Sequence, residues 1–164
     1  MNLWDTIELL GGGPGSGCNP DVGRCGRPPL QGKLNYQGLR ISIENRRGSY
    51  RTGRSSVGVK WKTKMKHHYG YLRGVTKDNT HEKRDVYVGP HKSSTVVFIV
   101  NQLKKDSKEI DEQKYMIGFR SLSEAKRGFL EHFPDSSRVG KIIPIDIDDF
   151  KRKITDSTYE GRLL

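Results

Sequence analysis

His67-His68-Tyr69-Gly70-Tyr71 and, a short turn later, Glu82-Lys83-Arg84-Asp85-Val86-Tyr87-Val88-Gly89-Pro90 are the stretch on which the reading of this chain turns. Val86-Tyr87-Val88 is β-branched and aromatic, the composition of a strand rather than a helix. Joined by a polar turn, the two halves predict a hairpin with Tyr69 and Tyr71 on one strand and Asp85 entering the other.

The texture continues outward. Leu39, Ile41 and Ile43 alternate with polar residues, as do Val57, Val59 and Trp61, which predicts half-buried strands. Thr95–Val100 and Tyr115–Phe119 add further strands, separated by turns rich in Gly, Ser, Asn and Lys. Short strands at such spacing predict a small barrel. A helix follows from a cap at Ser121 or Ser123 through Phe133, with Pro134 ending it. Ile142–Ile145 reads as one more strand. Asp146–Ile154 carries acids early and bases late, which suits a helix dipole. The expected fold class is α+β, mainly β: a small β-barrel with one or two C-terminal helices and an extended N-terminal arm.

Residues 1–38 read as that arm and its Gly/Pro-rich linker, 39–154 as the barrel with its helices, and 155–164 as a tail. Leu3, Trp4, Ile7 and Leu10 fall at helical spacing, on a segment too short to be a stable helix alone. The stripe must bury itself either on its own domain or on a partner, and the flexible Gly11–Gly17 linker favours a partner.

Composition narrows the partners. The 164 residues are 32% hydrophobic and carry a formal charge of +11. No apolar run approaches the ~18 residues of a membrane span, and Met1–Leu10 lacks the plan of a signal peptide, so a soluble protein with no membrane contact is expected. Arg40–His68 holds nine Lys and Arg against the single acid Glu44. Such a run is either a solvated face or a contact for nucleic acid or another polyanion. Cys18 and Cys25 are too few for a zinc site; free thiols are the favoured reading, a small disulfide loop the other. His67, His68, His81 and His91 read as structural or surface histidines.

At the strand ends stand Glu44, Arg51, Lys64, Tyr69, Tyr71, Glu82, Asp85, Glu112 and Lys114. Carboxylates, cations and phenols at one barrel mouth could hold a divalent metal and phosphate oxygens. Together with Ile43-Glu44-Asn45, Gly48-Ser49, Trp61, Met65 and Asp111-Glu112-Gln113-Lys114, this pattern resembles the inorganic-pyrophosphatase-like domain of tailed phages. The resemblance spans about Leu39 to Ile154 and implies an oligonucleotide-binding-type barrel with a Mg²⁺-dependent site. It implies catalytic roles for Asp85 and Tyr69 and phosphate contacts from Arg51, Lys64, Lys114 and Tyr71. The metal ligands it implies are Glu44, Glu82, Asp85 and Glu112.

The chain departs from the family where metal would bind. In the Asp-x-Asp-x-x-Asp register the first position is Thr80 and the second is Glu82. Metal-activated water needs closely placed carboxylates, so the site reads as weak or vestigial. The favoured expectation is a non-enzymatic phage virion protein, a head decoration or capsid-associated component. It would contact other virion proteins through residues 1–38 and reside in the host cytoplasm during assembly. A Mg²⁺-dependent pyrophosphatase, or a hydrolase of a related phosphoanhydride, is the alternative. A nucleic-acid-binding barrel is the third. Mg²⁺ is the cofactor only if the chain is active.

Overall fold

The computed structural model describes residues 2–10, 18–19, 24–25, 29–55, 57–76 and 83–156. Its strands are β1 (Glu8–Leu9), β2 (Cys18–Asn19), β3 (Arg24–Cys25), β4 (Gly32–Tyr36), β5 (Leu39–Asn45), β6 (Tyr50–Arg54), β7 (Lys60–Lys64), β8 (His68–Thr76), β9 (Lys83–Val88), β10 (Val96–Leu103), β11 (Ile110–Ile117) and β12 (Val139–Asp146). Two helices complete it, α1 (Leu122–Leu130) and α2 (Ile147–Thr155). The expectation of an α+β, mainly β, barrel-like fold holds.

Eight strands form one sheet in the order β1-β4-β5-β8-β9-β11-β10-β12. Neighbours are antiparallel except β9 and β11, which run parallel with Tyr115 opposite Val86. The sheet therefore consists of two antiparallel halves joined at a parallel seam.

Alternation along the strands sorts side chains between two cores. Ile41, Ile43, Leu72, Val86, Val88, Ile99, Tyr115 and Ile117 face one cluster, which Ile147, Phe150 and Ile154 of α2 close. Tyr69, Tyr87, Phe98, Val100 and Met116 face the other, covered by Ala125 and Phe129 of α1. Both helices begin at side-chain caps: Ser121 accepts from the Glu124 amide, and Asp146 from that of Asp148.

Glycine permits the tightest approach. A Cβ on Gly70 would lie 1.8 Å from the Ser42 carbonyl oxygen, so the Tyr69-Gly70-Tyr71 motif brings β8 directly against β5.

Three expectations need correction. Residues 2–10 are not an amphipathic helix but a 3₁₀ turn over Leu3–Thr6 followed by β1. Nor does the domain begin at residue 39, since β4 pairs along β5 from Gly32 to Tyr36. Third, Val57 and Val59 are not half-buried; they are 82% and 62% exposed at the tip of a ribbon. Period-2 alternation cannot tell a sheet strand from a ribbon with no core beneath it.

The stripe itself packs on its own domain. Leu3 is 2% exposed within the α2-side core, and Ile7 packs against the same cluster. Trp4 Nε1 donates to the Val88 carbonyl at 2.7 Å, and the Leu3 amide donates to the Pro90 carbonyl at 2.8 Å. Leu10 is half-buried, and its amide donates to Gln31. Of the four residues expected to bind a partner, Leu3 and Ile7 pack into this core and Trp4 bonds its backbone, while Leu10 contributes its amide. Among the described residues no helix is long and apolar enough to cross a membrane.

Candidate functional site

Lys114 sits at the centre of the predicted constellation. It lies on β11, beside Asp85 of β9 across the parallel seam, on the sheet face that also carries Tyr69. Its Nζ donates to Asp85 Oδ2 at 2.9 Å and to the Tyr69 hydroxyl at 2.9 Å, and it pairs with Glu112 Oε1 at 2.7 Å. The lysine side chain is only 7% exposed, the two carboxylates 23% and 31%.

Burial works against the Lys114 charge, but Tyr69, Asp85, Glu112 and Tyr87 together outweigh it and hold the ammonium well above the ordinary lysine range. Burial likewise raises the Tyr69 phenol, with Asp85 adding to the effect. At neutral pH the pair is therefore a protonated amine and a protonated phenol. The Tyr69 oxygen accepts from Lys114, which leaves its own proton to donate.

Arg51 arrives from a separate two-stranded ribbon, β6–β7. Gly48 and Ser49 exchange backbone hydrogen bonds with the buried Met65 at the ribbon's base. From there the Arg51 guanidinium reaches over the Tyr69 ring, 4.4 Å from its centroid, and lies 5.1 Å from that of Trp61. The structure thus gathers Arg51, Tyr69, Asp85, Glu112 and Lys114.

The other predicted residues do not join this hydrogen-bonded cluster. Lys64 lies opposite Tyr50 in the ribbon ladder and is exposed; strand alternation puts it on the ribbon face opposite Arg51. Tyr71 lies opposite Asp85 in the β8–β9 ladder, but its ring is met by Lys83 Nζ at 3.7 Å rather than by Lys114. Glu44 sits at the irregularity in the β5–β8 register and makes no ion pair among the described residues. Glu82, with Asp78 and Thr80, lies outside the described residues.

Sequence reasoning missed the support beneath Tyr69. Tyr87 packs 4.8 Å from it and stacks on His132 at 5.0 Å. His132 Nδ1 is 2.6 Å from the Gly128 carbonyl, and its Nε2 accepts from the Lys66 amide at 2.8 Å, which sets the neutral tautomer. Nothing in the linear spacing links a histidine after α1 to the hairpin. His67 and His68 are buried, as a structural reading expects. His68 accepts from the Arg47 amide at 2.7 Å and meets the Trp4 carbonyl at 3.2 Å.

The Mg²⁺ that the resemblance implies does not fit these residues as they stand. Asp85 and Glu112 each bond Lys114, and with Arg51 alongside the cluster's formal charges cancel. A divalent ion seeks uncompensated carboxylate oxygens, and among the described residues no three His, Cys, Asp or Glu converge.

No curated protein and no solved structure matches the chain. The family model described as inorganic pyrophosphatase matches residues 29–155, which takes in β4 through α2 and every member of the Lys114 cluster. By that match this chain belongs to the inorganic pyrophosphatase family.

Proposed function

We propose that this member of the family works as a binding domain rather than a hydrolase, holding a diphosphate-bearing anion between Arg51, Lys114 and Tyr69. The observation that carries the reading is the double engagement of Lys114 with Asp85 and Glu112. Carboxylates bonded to an ammonium are poor metal ligands, and Thr80 supplies no replacement where the family pattern has its first hairpin aspartate. An incoming phosphate would draw Lys114 toward itself, with Arg51 as a second cation and Tyr69 as a neutral hydrogen-bond donor.

Calorimetry with pyrophosphate tests this directly. Binding is expected without added Mg²⁺ and is expected to weaken about tenfold or more in Lys114→Met, the scale of one lost charge-assisted contact. Phosphate release with Mg²⁺ should stay near the uncatalysed rate. Robust Mg²⁺-dependent release, abolished by Asp85→Ala, would replace this reading with the hydrolase.

The setting we propose is the phage particle that the sequence resemblance implies, as a capsid-associated protein. Leu3 and Trp4 are engaged within the domain, so attachment in that setting would fall to the domain surface. Mass spectrometry of purified particles that lack the chain would remove this setting.

A further inference from the structure

Among the described residues, the β6–β7 ribbon contributes no side chain to either core. It forms a sheet of its own. Tyr50, Thr52, Arg54, Lys60, Lys62 and Lys64 share its outer face by register and are all exposed. On β7 the three lysines take alternate positions, so a cation recurs about every 7 Å. Arg54 faces Lys60 across the ladder. From Arg46 to Lys66 the sequence contains no acid, and these four cations make no ion pair among the described residues. Such a face is complementary to a linear array of negative charge.

The aromatic residues indicate which array. Single-strand binders offer bare ring faces for base stacking, whereas here Tyr50 and Trp61, although 52% and 37% exposed, each have a ring face engaged within the ribbon. Lys62 Nζ sits 4.2 Å over the Tyr50 ring. Trp61 lies on Gly53, its partner in the ladder, where a Cβ would come within 2.3 Å of the indole. A two-stranded ribbon fits the major groove of B-form DNA, about 12 Å wide, and is shut out of the narrow major groove of duplex RNA. Exposed Val57 and Val59 at the tip suit a groove floor carrying thymine methyls.

We infer that the β6–β7 ribbon is a docking element for duplex DNA, its tip entering the major groove while Arg54, Lys60, Lys62 and Lys64 hold the flanking phosphates. This face is distinct from the Lys114 cluster, and the inference stands whether or not that cluster binds pyrophosphate.

Fluorescence anisotropy with a labelled mixed-sequence DNA duplex over a salt series tests it. Binding should weaken with salt at a logarithmic slope of about −3 to −4, as for roughly four phosphate contacts. The triple variant Arg54→Gln/Lys60→Gln/Lys62→Gln should bind at least about tenfold more weakly at 0.1 M salt, with a clearly shallower slope. Lys104→Gln/Lys105→Gln/Lys108→Gln, an equal charge change on another loop, should bind like the parent. Circular dichroism of each variant checks the fold. Equal loss in both variants would reduce the effect to net charge and overturn the ribbon, as would tighter binding to single strands or to duplex RNA.

Discussion

Lys114 Nζ lies 2.9 Å from Asp85 Oδ2 across the parallel β9–β11 pair, so one buried ion pair bridges the seam of the sheet. Replacing Lys114 by Met leaves two carboxylates facing a phenol in a largely dry pocket. Breaking such a pair from one side costs about 3–5 kcal/mol when fully buried, and the partial exposure of Asp85 and Glu112 lowers this to about 2–3 kcal/mol. Urea unfolding of Lys114→Met and of Lys114→Met/Asp85→Asn checks it. The double variant should recover part of the loss, and equal stability of Lys114→Met and the parent would show that the pair contributes nothing.

The buried histidines make the fold sensitive to acid. Burial first, then the nearby His132, Arg47, His68 and Arg127 charges, lower His67 to about 3. Burial also lowers His68 and His132. Below the unfolded value near 6.5 the unfolded chain binds protons that the folded chain refuses, so stability falls as pH drops from about 6.5 toward 3. His67 alone contributes a loss of about 2 kcal/mol by pH 5. Melting curves at pH 7 and pH 5 should show the drop, and His67→Leu should flatten it. A melting temperature unchanged between these pH values would contradict the burial of neutral imidazoles.

Gly70→Ala is expected to be among the most damaging single-atom additions in the chain. The new methyl would meet the Ser42 backbone carbonyl oxygen at 1.8 Å, an atom held in the β5 ladder. The cost should exceed about 3 kcal/mol, as for severe overpacking. Gly48→Ala is the comparison: its φ of +88° is strained for alanine, but nothing lies within 4 Å, so about 1 kcal/mol is expected. Similar melting temperatures for the two variants would mean that β5 and β8 are not so close.

Truncation tests the N-terminus. Leu3→Ala removes a side chain that is 2% exposed and should cost about 2–4 kcal/mol. Deleting residues 1–10 should cost more, because β1 and the Trp4–Val88 hydrogen bond go as well. A truncated chain that melts like the parent would return these residues to the role of a free arm.

Strand residues near the hairpin were legible because alternation and aromatic content reflect local physics. The same signals placed β8, β9, β10 and β11 and both helices, and Asp146 and Ser121 appear as the caps their side chains predict. Arg51, Tyr69, Asp85, Glu112 and Lys114 lie close together in the structure. What escaped was set by tertiary contact. Leu3 and Ile7 at helical spacing say only that an apolar face exists, not what covers it. Lys64 and Arg51 are equally basic, and only the ladder register separates the face that reaches Tyr69 from the face that reaches solvent. His132 carries no local mark of its place under Tyr87.

The parallel seam has a consequence for how this chain acquires its shape. The β8–β9 and β10–β11 hairpins close between neighbouring strands, whereas β9 can meet β11 only after β10 has passed beyond it and turned back. Contacts of greater sequence separation form at greater entropic cost. Asp85 and Tyr69 belong to one half, Lys114 and Glu112 to the other, so the cluster cannot exist in either half alone. Anion affinity at Lys114 should therefore emerge only after the β8–β9 and β10–β11 hairpins have formed and the seam between them has closed. Stopped-flow mixing with pyrophosphate at successive refolding times reads that order, and affinity arising with the earliest phase would mean that the halves never fold apart.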